Sequence, residues 1–102
     1  MEKTNKMMKI KLKIPKQEII YEGKVKKSKT GQGYVHMNDQ YIGNRAYVIM
    51  PQKIKKTPEH YEIVVDEIQN IGVHPNNDHT CKLNLSQKYV GRKCIVVIAD
   101  DF

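Results

Sequence analysis

The chain has 102 residues, 39% of them apolar and 28% charged, which suits a single globular domain that can bury a core without metal or disulfide staples. No apolar run approaches the roughly 18 residues of a membrane-crossing helix, and the N-terminal residues lead into an alternating strand pattern rather than a signal-peptide core, so a cytoplasmic protein is expected. The net charge of +7 is uneven: residues 1–58 carry 14 Lys and Arg against 4 Asp and Glu, whereas residues 59–102 carry 4 against 7. Such asymmetry points to a polyanionic partner for the basic half, the plainer alternative being a lysine-rich surface kept for solubility or heat tolerance.

Met8 to Ile14 alternates apolar residues with Lys9, Lys11 and Lys13, the pattern of a half-buried strand with a basic outer face, and Pro15 ends it. Glu18 to Lys26 reads as a second strand, Ser28 to Gly33 as a flexible turn, and Tyr34 to Met37 as a short strand. Asn38 then stands where a helix N-cap belongs, followed five residues later by Gly43, a residue suited to ending a helical turn with positive φ. Arg45 to Met50 is a closing strand rich in β-formers. Pro51 to Pro58 reads as a connector, Glu62 to Ile68 as a strand, and Asn70 to Thr80 as a loop.

The last stretch repeats the first. Residues 33–50 reappear as residues 81–98 at a constant offset of 48, with Tyr41/Tyr89, Gly43/Gly91 and Val48/Val96 identical and Ser86 in the capping place of Asn38. Two copies are too few for a solenoid and predict a dimer-like domain written into one chain.

The unit of strand, turn, strand, short helix, Gly and strand resembles the swapped-hairpin transcription factors of the AbrB/SpoVT group, in which two such units interleave into a small barrel. Within that group, Ile20 to Lys27, Tyr41 to Arg45 and Tyr47 to Ile49 look most like small archaeal transposon-associated proteins of undefined function. The match covers about residues 19–50, and only the second half of residues 67–98. Two departures stand out. The proline that opens the family's helical turn is replaced by Asn38 and Ser86, and the second copy holds Gly72, His74 and Pro75 where the first holds Lys24, Lys26 and Lys27.

The resemblance implies a transcription regulator or accessory factor of a mobile element or virus. Carried over by position, it implies DNA contacts from Lys24, Lys26, Lys27 and Lys29. The residues support the same reading by themselves. Lys24 and Lys26 lie two apart and share one face of a strand, with Lys27 and Lys29 at the start of the turn, and each phosphate neutralised adds salt-dependent affinity. Lys53, Lys55 and Lys56 of the connector extend the set. The alternative for these lysines is protection of a strand edge against aggregation.

Other chemistry has thin support. His74, His79, Cys81 and Cys94 are zinc-capable but lack a Cys-x2–4-Cys pair, and both cysteines fall where the other copy has a small residue, Gly33 or Ala46, so small core side chains are expected. Whether the two cysteines pair is open. There is no nucleophile–His–acid signature and no phosphate-cradling loop, so no catalytic residue is assigned and no cofactor or metal is expected. Glu59, Glu62, Asp66 and Glu67 form an acidic cluster that keeps a protein partner open. Tyr41 and Tyr89 are expected to pack the helical turns, and Tyr34 either packs or stacks on single-stranded bases.

The reading is therefore a mainly β domain over residues 1–102, a small pseudo-two-fold barrel of two swapped-hairpin halves (19–50 and 67–98) with single-turn helices and a connector at 51–58. It is expected to bind DNA, most simply duplex, without enzymatic activity, as a monomeric pseudo-dimer or a homodimer. The alternative is a protein-interaction module, an inhibitor or assembly component, that ignores nucleic acid.

Overall fold

The computed structural model describes residues 10–75 and 80–99. Met8 and Lys9 of the first expected strand, and Asn76 to His79 of the expected loop, lie outside these. The described chain is mainly β, in two antiparallel sheets. Its strands are β1 (Ile10–Pro15), β2 (Ile19–Lys24), β3 (Lys26–Lys27), β4 (Gly33–Asn38), β5 (Arg45–Lys56), β6 (His60–Gly72), β7 (His74–Pro75), β8 (Thr80–Leu85) and β9 (Lys93–Ile98). One-turn 3₁₀ helices cover Lys16–Glu18, Asp39–Tyr41 and Gln87–Tyr89. The order is β1-β6-β5-β9-β2 in the larger sheet and β3-β4-β8-β7 in the smaller.

The 48-residue offset runs through the pairing. β3 and β7 occupy equivalent places, as do the helical turns at 39–41 and 87–89. The first copy opens with β2, which pairs with β9 of the second (Lys24 opposite Lys93), and the end of β6 pairs with β5 of the first (Gly72 opposite Arg45). Val48 lies opposite its own counterpart Val96, and Val35 opposite its counterpart Leu83, so a pseudo-two-fold axis passes through both sheets. Val25 and Val73, identical at the same offset, take equivalent bonds. The Val25 N–H donates to the Arg92 carbonyl at 2.9 Å, and the Val73 N–H donates to the Asn44 carbonyl at 2.9 Å.

Local chemistry fixes the turns. Asn38 Oδ1 accepts the Gln40 N–H at 3.1 Å and Ser86 Oγ accepts the Lys88 N–H at 3.4 Å, as N-caps do. Gly43 and Gly91 have φ of 92° and 88°, conformations that a Cβ disfavours. Between the sheets lies a core of Val25, Val35, Val48, Leu83, Leu85, Tyr89, Val96 and their neighbours. Cys81 and Cys94 are fully buried in it as free thiols.

The 51–58 segment is not a loose link. β5 continues to Lys56 and turns into β6, with register shifts at Pro51 that bend the hairpin. This arm and β1 cover the second face of the larger sheet, where Ile14, Ile49, Tyr61, Ile63, Ile95 and Val97 form another buried cluster. Burial on both faces explains why Cys94 to Val97 is a continuous apolar run rather than an alternating one. Of the expected loop from Asn70 to Thr80, Asn70 to Gly72 end β6, His74 and Pro75 form β7 and Thr80 opens β8; the glycine at 72 is the end of a strand, not a loop marker.

A candidate nucleic-acid interface

The smaller sheet turns one face to the core and one to solvent. Along β4, Gly33, Val35 and Met37 are buried while His36 and Asn38 are exposed and Tyr34 is half-buried; along β8, Cys81, Leu83 and Leu85 are buried while Asn84 is exposed and Lys82 half-buried. Register then sets two rows across the outer face. Lys26 stands opposite Tyr34, itself opposite Asn84; His36 stands opposite Lys82, itself opposite His74. The rings of Tyr34 and His36 lie 5.0 Å apart, and Lys82 Nζ stands 5.6 Å from the Tyr34 ring centroid, a cation–π distance.

No Asp or Glu occurs in β3, β4, β7 or β8. Among the described side chains the carboxylates Glu18, Glu22, Glu59, Glu62, Asp66 and Glu67 all belong to the larger sheet and its turns. Folding therefore mixes both signs of charge on the larger sheet and leaves the strands of the smaller sheet with lysines alone, Lys26, Lys27 and Lys82.

Lys24, Lys26, Lys27 and Lys29 are all exposed, but the expected strand from Glu18 to Lys26 is broken at the buried Val25. Lys24 ends β2 in the larger sheet and Lys26 opens β3 in the smaller, so the two do not share one strand face, and Lys29 lies in the turn that follows. That turn is braced. The Ser28 N–H donates to the Gln32 carbonyl at 2.8 Å, the Gly31 N–H donates to the Ser28 carbonyl at 3.0 Å, and Gln32 Nε2 donates to the Leu85 carbonyl. These bonds close the turn that carries Lys29. Lys24 faces Lys93 across the ladder, and Glu22 offsets that like-charge pair by an ion pair with Lys93 at 3.3 Å.

The arm lysines go elsewhere. Lys53 lies across Val64 from Lys11, and Lys55 lies across Glu62 from Lys13, on the outer face of the arm. Lys56 is bound to Glu22 at 2.8 Å. The seven expected residues therefore form one patch of four, a separate pair that shares its surface with a carboxylate, and one lysine committed to an ion pair.

Sequence reasoning passed over Lys82 and Lys93, which sit in the acidic half of the sequence: Lys93 folds opposite Lys24, and Lys82 opposite His36 on the outer face of the smaller sheet. The repeat gave no signal for this, because an internal offset aligns the copies but does not show that β2 of the first pairs with β9 of the second.

The acidic cluster does not converge. Glu62 bonds His60, Asp66 pairs with Arg92 at 2.6 Å, and Glu67 accepts from the Tyr89 hydroxyl, which also accepts from Gln69. Of the zinc-capable set, His79 lies outside the described residues, His74 is exposed, and both cysteines are buried. Burial pushes the Cys94 thiol up to about 11, away from the thiolate that binds metal. Among the described residues no three His, Cys, Asp or Glu side chains gather as a metal site, and no helix is long and apolar enough to cross a membrane. Comparison with family models, curated proteins and solved structures yields no match.

Proposed function

We propose that this protein binds nucleic acid, DNA in the first instance, without catalysing a reaction, as a regulator or accessory factor of the kind its AbrB-like resemblance implies. The observation that carries the reading is the outer face of β3-β4-β8-β7, whose strands contain no Asp or Glu, edged by Lys24, Lys26, Lys27 and Lys29 and reinforced by Lys82. A surface of one sign attracts a polyanion and releases its condensed counterions. Lys53 and Lys55 offer a secondary phosphate contact on the arm; Lys56, held by Glu22, offers less. The exchange of opening strands between the copies supports a swapped-hairpin architecture, with the two sheets as the walls of a flattened barrel.

The test is a salt titration of binding to duplex DNA, single-stranded DNA and RNA. Changing Lys24, Lys26 and Lys27 together to Ala is expected to weaken binding and to reduce the log–log salt slope by about 2 to 3, at about 0.7–0.9 per lost phosphate contact. Unchanged affinity with an unchanged slope overturns the assignment.

A protein-interaction module is the second reading. It is favoured by an apolar groove lined by Leu12, Ile14, Tyr47, Ile49, Ile68 and Val97, where Ile68 is 37% exposed. Capture of one specific protein with no nucleic-acid binding at low salt would select it.

A further inference from the structure

We infer that the ligand of the smaller sheet is single-stranded nucleic acid, with bases stacked on Tyr34 and His36. This inference rests on the nucleic-acid reading above and names the form of the ligand. The inner strands of the outer face carry two rings, Tyr34 and His36, with Lys82 beside them. Tyr34 and His36 are successive outward residues of one strand, their rings 5.0 Å apart, and no Asp or Glu shares their sheet.

Cations and amides frame the rings. Lys26 and Asn84 flank Tyr34 on the two sides, and Lys82 flanks His36, with His74 beyond it. A base entering the Tyr34 face takes the position now held by the Lys82 ammonium, whose flexible stem lets the charge move to the adjoining phosphate.

A duplex keeps its base faces stacked inside and offers this surface only phosphates; its major groove is read by a helix or ribbon that enters it. Among the described residues the smaller sheet and the turn at 28–32 present no helix that could enter a groove. Single strands expose base faces, and sheets with outward aromatic rings bind them by stacking two or three bases. Every base has such a face, so the preference is for strandedness rather than sequence.

The experiment uses the full chain and labelled oligonucleotides of about 12 residues, within the span of single-strand sites: oligo-dT, oligo-U and a duplex of the same length. Oligo-dT or oligo-U is expected to bind more tightly than the duplex at equal salt. Tyr34→Ala with His36→Ala is expected to weaken single-strand binding about tenfold or more while leaving the salt slope unchanged, the opposite signature to the lysine variant. Because Tyr34 is half-buried, Tyr34→Trp provides an independent readout: the chain has no other Trp, and emission from this ring is expected to be quenched on binding oligo-dT. Tighter binding of the duplex, or an emission unmoved at saturating oligo-dT, overturns the inference while leaving the nucleic-acid reading standing. Binding of no oligonucleotide at low salt overturns both.

Discussion

Glu22 receives donors from three different strands. Lys56 of the arm approaches it at 2.8 Å, Lys93 of β9 at 3.3 Å, and the Tyr61 hydroxyl donates to its other oxygen at 2.7 Å. The hydrogen bonds from Lys56 and Tyr61 hold its carboxyl at about 2, against the desolvation that acts in the other direction. The folded-state value is depressed, so the contribution to stability is complete above the ordinary carboxylate value of about 4.3 and is lost as pH falls from there towards about 2. Glu22→Gln is expected to cost about 1–2 kcal/mol at neutral pH, a figure kept low because its lysine partners are half exposed. Thermal melts of both proteins at pH 6 and pH 3 check this: the gap should narrow in acid, and a gap independent of pH would refute the ion-pair account. None of these partners is adjacent to Glu22 in sequence. Asn38, Ser86, Gly43 and Gly91, by contrast, were legible, because an N-cap and a positive φ are satisfied within one turn of chain.

At the scale of elements, the strand–turn–strand unit was legible in outline, and its errors share one cause. The connector and the loop after Asn70 contain prolines, lysines and a glycine that score as turn residues, yet β5 and β6 recruit them because each arm strand finds a partner. Pairing overrides local propensity when the backbone groups would otherwise go unbonded. Pro51 is tolerated at the shift in register, where the ladder is already interrupted. The helical turns are more autonomous. Space is open around the missing Cβ of both Gly43 and Gly91, so Gly43→Ala and Gly91→Ala should each cost about 1–2 kcal/mol through backbone strain alone. Urea denaturation reads this directly; a stability unchanged in both variants would mean that the turns relax to negative φ.

The whole molecule is governed by its pseudo-two-fold axis and by what breaks it. Val48 and Val96 are both fully buried and face each other on the axis, so Val48→Ala and Val96→Ala should destabilise to similar extents, about 2 kcal/mol each from lost methyl burial and the cavity left behind. As direct cross-strand partners they should couple, and the double variant should depart from additivity by about 0.5 kcal/mol or more; simple additivity in a denaturant series would contradict the pairing. β1 and the arm have no counterpart in the other copy and cover only one face of the larger sheet, which leaves the outer face of the smaller sheet open. The sequence by itself determined that the chain is mainly β, that it contains two copies, and where the two capped helical turns sit, because these follow from alternation, offset and capping within a few residues. Only the tertiary structure decided which lysines stand together. A strand's neighbours are set by pairing across the chain, so β3 came to lie beside β4 with Lys26 opposite Tyr34, Lys56 was drawn to Glu22, and the strands of the smaller sheet were left without a carboxylate beside the rings of Tyr34 and His36.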